Sequence, residues 1–189
     1  MKKIFLILAL FQLFFCISQN ENKKLINCIF KQTKKIEIYA FLELTKWEGE
    51  KRYMIYNKGK VVAISFPEKY LRNKIILNKK QIKKLKNSLV ATDDYIDERA
   101  DCYFPRHTIV FYNKEDKILG YIELCFGCFN SYATKNLKFL EDSMLFQQKL
   151  FEEFGITYLT DTKEEEENYS KLAEKRSLEL KSKFNNKNE

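Results

Sequence analysis

The sequence has only one histidine, one tryptophan, two prolines and five glycines in 189 residues. So few turn-formers argue against a sandwich of many short strands. A single histidine leaves one imidazole, that of His107, for any Ser/His or Cys/His mechanism. No G-x-S-x-G, H-E-x-x-H or phosphate loop occurs, so the usual hydrolase and nucleotide-binding signatures are missing. The long apolar run at the start, Ile4 to Phe15, is about a dozen residues, too short to span a bilayer. No arginine and aromatic platform for nucleic acid is visible either.

What is present points to one folded domain with a tail. Hydrophobic residues make up 45% of the chain, with 16 Phe and 11 Tyr, enough for a real core. Charge is uneven. Residues 19–160 carry net +7 and residues 161–189 net −1. The basic excess therefore belongs to the domain. It reads chiefly as a solvated lysine-rich surface, with an anionic envelope component or an unidentified protein as the partner it would favour.

Residues 1–18 read as a signal peptide. Lys2 and Lys3 form a positive n-region before the apolar run, and Cys16-Ile17-Ser18 puts small residues three and one before a cut after Ser18. A buried N-terminal strand or helix competes poorly, because the charged stretch Glu21 to Lys24 follows at once. A lipoprotein acylated at Cys16 is a second alternative. Leu13 sits three residues before that cysteine, but Phe15 directly before it is bulky. The chain is thus expected to be exported, periplasmic or secreted, with no transmembrane segment after cleavage. Four cysteines then remain, Cys28, Cys102, Cys125 and Cys128, and an oxidising compartment makes disulfides the default for an even count.

Along the chain, Leu25 to Phe30 reads as an edge strand or a lead-in, and Ile36 to Leu44 as a strand rich in β-formers. Tyr53 to Tyr56 and Lys60 to Phe66 flank Asn57-Lys58-Gly59, a tight hairpin turn. Pro67 ends the second run, and Lys74 to Leu77 is a further short apolar one. Asn78 is placed to cap a helix over Lys79 to Val90, with Ile82, Leu85 and Leu89 on one face. The acidic loop Thr92 to Asp101 lacks the ligand ladder and central glycine of a calcium loop. His107 to Asn113 and Ile118 to Phe126 are the strongest strand pair. Leu140, Met144, Phe151 and Phe154 share a helical face closed by Gly155. Lys163 to Asn188 reads as a charged helix with few apolar positions, projecting or fraying. The fold expected is α+β: a mostly antiparallel sheet of five or six strands, two packed helices and a charged C-terminal helical tail, with the domain over 19–160 and the tail over 161–189.

The stretch Asp101 to Phe129 concentrates the chemistry. If Asn113 faces Ile118, His107 faces Leu124, Arg106 faces Cys125 and Cys102 lies near Phe129. A one-residue bulge would set His107 opposite Cys125 on the same face. In either register Cys102, His107, Cys125 and Cys128 gather at the open end of the hairpin. C-x-x-x-x-H followed by C-x-x-C is a Cys3His set suited to one structural zinc, with Gly127 permitting a tight backbone between the last two ligands. A disulfide is the competing reading, from Cys102 to Cys125 or Cys128, with Cys28 taking the remainder. Redox chemistry at Cys125-Phe126-Gly127-Cys128 is weaker, because the motif ends a strand instead of opening a helix. A thiol nucleophile, Cys102 or Cys125 with His107 as base, is weaker still. Isolated buried cysteines and a lone satisfied histidine are the plain alternative.

The segments C-Y-F-P-R-H-T-I-V-F-Y and G-Y-I-E-L-C-F-G-C, with a helix ending F-E-E-F-G-I, resemble an uncharacterised family of small exported bacterial proteins. That family shares a C-x-x-P-x-H…C-F-x-C core. The resemblance covers Ile75 to Ile156 and carries over Cys102, Pro105, His107, Cys125 and Cys128. It implies no activity. The expectation is a non-enzymatic binding or structural domain stapled by zinc or a disulfide, against the alternative of a thiol-redox or cysteine-nucleophile enzyme.

Overall fold

A computed structural model describes residues 21–49, 51–92 and 99–185. The expected signal peptide with Cys16, and most of the acidic loop at 92–101, lie outside them. The chain runs α1 (21–32), β1 (Lys35–Phe41), a 3-10 turn (Leu44–Lys46), β2 (Met54–Asn57), β3 (Lys60–Ile64), β4 (Leu71–Ile76) and α2 (Lys79–Ala91). It continues with β5 (His107–Tyr112), β6 (Ile118–Cys125), β7 (Asn130–Ala133), a 3-10 turn (Lys135–Leu140), α3 (Glu141–Leu145), α4 (Gln148–Phe154) and α5 (Lys163–Asn185). The fold is α+β. A five-stranded antiparallel sheet has the order β4-β1-β5-β6-β7, and β2 and β3 form a separate hairpin. No helix among the described residues is long and apolar enough to cross a membrane.

The sheet has two covered faces, because successive strand residues point to opposite sides. Ile36, Ile38 and Ala40 of β1, Ile109 and Phe111 of β5, and Ile122 and Leu124 of β6 meet the helices in the larger core. Tyr39, Phe41, Val110, Tyr112 and Tyr121 face the other way and pack with Trp47, Tyr53 and Met54 around the β2-β3 hairpin.

Local signals explain most elements. Asn78 accepts from the backbone N–H groups of Lys80 and Gln81, and the Gln81 side chain returns to Asn78 N–H at 2.9 Å, a complete capping box. Lys58 and Gly59 both take positive φ, 48° and 75°, the demand of a two-residue hairpin turn. Gly155 ends α4 at φ 107°. Gly120 serves a close approach: a Cβ there would come within 2.8 Å of Leu137 Cδ1.

Three elements differ from expectation. Leu25 to Phe30 is helical. Ile26, Ile29 and Phe30 are buried at helical spacing, while Leu25 and Cys28 face solvent, a period of 3.6 and not 2. Between Phe126 and Leu140, where the sequence marked no element, lies β7, a short polar edge strand whose pairing to β6 decides it. The run Leu140 to Phe154 is a 3-10 turn and two helices, broken at Phe146-Gln147.

The C-terminal helix is tied down by polar groups. Thr162 and Glu165 form a reciprocal cap, and Glu165 also binds Arg72 at 2.6 Å. Lys46 lies over the Tyr169 ring, and Arg176 donates to the Trp47 carbonyl at 3.3 Å. A count of apolar positions does not register such contacts. Asp161, just before the helix, is the hub of a buried network: it accepts from Lys46 and Arg106 at 2.6 Å each and from Tyr158 Oη at 2.7 Å. Arg106 bridges on to Glu43 at 2.8 Å.

Candidate functional site: the hairpin end and the tyrosine cleft

The β5-β6 register decides the geometry of the cluster. His107 pairs with Leu124, Thr108 with Glu123 and Val110 with Tyr121. The bulge lies at the turn end, between Phe111 and Tyr112, and not at the cysteine end. His107 therefore shares a face with Ala40 and Leu124, on the helix side, while Cys125 falls on the opposite face.

On the helix side His107 is fully buried against Phe126, ring centroids 5.0 Å apart. Its Nε2 lies 2.7 Å from the carbonyl of Tyr158. A carbonyl can only accept, so Nε2 carries the proton and Nδ1 is the bare nitrogen. That Nδ1 is buried with no hydrogen-bond partner. Burial pushes the imidazole pKa down to about 4, against the raising effect of the Tyr158 carbonyl. His107 is a neutral group pinning the irregular segment before α5 to the sheet.

The thiols form a row. Cys125 ends β6, and Cys128 is the third residue of the four-residue turn that follows. The backbone N–H of Cys128 points at Cys125 Sγ, 3.3 Å away. The Cys125 and Cys102 thiols both act on the titration of the Cys128 thiol, which places the three near one another. Cys125 and Cys128 are buried, Cys102 is half-buried, and all three are free thiols here. Burial is the main cause that pushes the Cys128 thiol pKa up, and the nearby Cys128 thiol is the main cause that raises that of Cys102. Gly127 has ordinary φ and open space around it; the positive φ of the turn falls on Phe129, at 49°. Of the four residues of the Cys3His set, the structure brings together Cys102, Cys125 and Cys128 and leaves His107 across the sheet. Among the described residues no group of three or more His, Cys, Asp or Glu is arranged to hold a metal. Cys28 lies on the exposed side of α1, away from the row.

Next to the row is a site that motif reading did not single out. Tyr103, one residue after Cys102, donates its hydroxyl to Glu123 Oε2 at 3.3 Å. Tyr53 donates to Glu123 Oε1, and since its one proton is committed there, Thr108 donates to the Tyr53 oxygen at 2.9 Å. Glu123 lines an open cleft of about 430 Å3 together with Tyr53, Tyr56, Tyr103, Tyr121 and Tyr132, and with Lys51 and Arg52. Tyr56 and Tyr132 are each 53% exposed, and the rings of Tyr121 and Tyr132 lie 6.3 Å apart. Burial raises the Glu123 pKa, and the two tyrosine hydroxyls only partly offset it. The only sequence signal was parity: Tyr121, Glu123 and Cys125 alternate with the apolar Ile122 and Leu124.

Comparison with known proteins returns no matching family model, no matching curated protein and no matching solved structure.

Proposed function

We propose that this chain is an exported binding domain without catalytic activity, whose ligand face is the tyrosine cleft around Glu123 and whose hairpin end is fastened by a Cys102–Cys128 disulfide. One observation carries the reading. The Cys102 and Cys128 thiols lie near enough to act on each other's titration, while Tyr103, the neighbour of Cys102, donates to Glu123. A bond between those sulfurs would hold the segment that forms one wall of the cleft. An aromatic cleft with convergent polar groups and a perturbed carboxylate is the kind of place where small ligands bind. Oxidation removes a proton from each thiol and two electrons, which a disulfide oxidant of the export compartment would accept as it is cleaved to two thiols. Export itself rests on the residues 1–18 pattern.

The raised thiol pKa values argue against a reactive nucleophile, which needs a depressed one. A second reading is thiol–disulfide exchange, favoured by the closeness of Cys128 to both other thiols. In it the Cys125 thiolate attacks Cys128 of the 102–128 bond and releases the Cys102 thiolate, with no net change of oxidation state.

The test is alkylation and intact mass, with and without reductant, on protein recovered from an oxidising compartment. The expected result is a Cys102–Cys128 bond with Cys28 and Cys125 alkylated. Four free thiols would remove the fastening. A mixture of 102–128 and 125–128 bonds would favour exchange. One zinc per chain with three shielded thiols, by elemental analysis, would put a metal in the place of the disulfide.

A further inference from the structure

The tyrosine cleft does not end at Glu123. A second cavity, of about 530 Å3, lies along the seam between the start of β3 and the strands β6 and β7. Tyr56, Tyr121 and Tyr132 line both cavities, so the two adjoin. Tyr121 is buried, and its hydroxyl meets that of Tyr56 at 3.4 Å, joining the β2-β3 hairpin to the sheet. Tyr56 and Tyr132 are each more than half exposed. Together the cavities make one groove, with aromatic rings at its middle and polar groups towards both ends.

The two ends differ in charge. At the first, Glu123 accompanies Lys51 and Arg52. The second is lined by Lys60 and Lys135, both exposed, with Thr134 and Asn136, and no acidic residue is among its lining residues. The sheet edge beside the groove is unsuited to a peptide strand. Thr134 N–H donates to the Tyr121 carbonyl at 3.1 Å, so by alternation the N–H groups of Ser131 and Ala133 point away from β6. Both are taken, by Asn130 Oδ1 at 2.9 Å and Glu141 Oε1 at 2.7 Å. A strand added at β7 would find these donors already capped.

We infer that the groove binds an extended acidic oligosaccharide, with sugar rings laid against Tyr56 and Tyr132 and a carboxylate at the Lys60 and Lys135 end. This ligand class rests on the cleft being the ligand face, as proposed above. A sugar ring offers C–H faces to the tyrosine rings and hydroxyls to Glu123, Thr134 and Asn136. A wholly apolar ligand would bury those polar groups unpaired. The two lysines meet the carboxylate with charge-assisted hydrogen bonds, and the basic excess of the domain draws an anionic chain towards the groove.

The experiment is a titration of the full mature chain with a tetrasaccharide carrying a uronic acid on alternate rings, a hyaluronan tetramer. Its neutral methyl ester and the acidic peptide tetraglutamate are titrated in parallel, all read by NMR shifts of the groove tyrosines and by calorimetry. The acidic tetramer is expected to shift tyrosines of both cavities. At low salt it should bind about tenfold more tightly than the ester, a gain that shrinks as salt rises. Lys60→Gln combined with Lys135→Gln, checked for folding by near-UV circular dichroism, should remove that gain and leave ester binding in place. Tyr132→Ala should weaken acid and ester alike. Equal binding of acid and ester, or a gain unchanged in the double lysine variant, overturns the acidic assignment. Tetraglutamate binding as tightly as the acidic tetramer overturns the sugar. In each of these cases shifts of Tyr103 and Tyr132 keep the ligand face. Shifts confined to Tyr53 and Tyr103 overturn the two-cavity groove and keep the Glu123 cleft. No shift of these tyrosines with any of the three probes overturns the inference and counts against the ligand face itself.

Discussion

The two faces of the central sheet are built from alternate residues of the same three strands, yet they differ in kind. On the helix side the row Ala40, His107, Leu124 continues into Ile38, Ile109 and Ile122, all fully buried. One imidazole interrupts an otherwise hydrocarbon surface. On the hairpin side the row Tyr39, Thr108, Glu123 continues into Glu37, Val110 and Tyr121. Here tyrosines bring a packing ring and a polar tip together, so carboxylates can be buried with hydroxyl partners. The first face resists change because it is close-packed. The second leaves polar groups at the edge of its packing, where Glu123 faces the cleft.

The largest expected effect tests the packing of the first face. Phe111→Ala should cost about 3–5 kcal/mol in urea denaturation, as a fully buried ring leaves a cavity among α1 and the sheet. A loss below about 1 kcal/mol would break the contrast by showing that this side can collapse.

The imidazole on that face gives the next effect. In the unfolded chain His107 takes up a proton near its ordinary value of 6.5, but in the folded chain only near 4. Between those values the unfolded state binds more protons, so stability is full above about pH 6.5 and falls as pH drops towards 4, by about 3 kcal/mol in all. Glu123, with its raised pKa, acts with opposite sign in the lower part of this window. The measurement is therefore the difference in pH dependence between wild type and His107→Leu. Parallel curves would show that the imidazole is not held neutral by burial.

On the hairpin side effects should be smaller and functional. Tyr53→Phe removes the hydroxyl shared by Thr108 and Glu123. It should cost about 1–2 kcal/mol, since Glu123 is open to the cleft and can turn to water. Tyr132→Ala, at an exposed ring, should change stability by no more than about 0.5 kcal/mol in the same urea assay. If it costs as much as Tyr53→Phe, the Tyr132 ring is part of the core and not of an open cleft wall.

Much of this was legible in the chain. The Asn78 cap, the Lys58-Gly59 turn, the Gly155 stop and the β5-β6 pair follow from local chemistry that acts within a few residues. The His107 and Leu124 pairing also followed from assuming a short turn. What misled was proximity without parity. Cys102, His107, Cys125 and Cys128 do end at one edge of the hairpin, but a strand sends neighbours to opposite faces. His107 and Cys125 are separated by the sheet itself. The short edge strand β7 carried no apolar pattern, and α1 carried an apolar run that two periods could explain.

By itself the sequence determined most of the strands, the turns of the two hairpins and which residues alternate, because these depend on neighbours close along the chain. Tertiary structure alone decided which face the helices would cover and which the β2-β3 hairpin would cover. It thereby decided that His107 would be sealed in hydrocarbon while Glu123 opened onto a cleft. That cleft draws Tyr53, Tyr103, Tyr121 and Tyr132 from four separate segments. No local pattern links them, because only the packing of the hairpin and the Cys102 to Pro105 segment against β6 brings their hydroxyls and rings to one carboxylate.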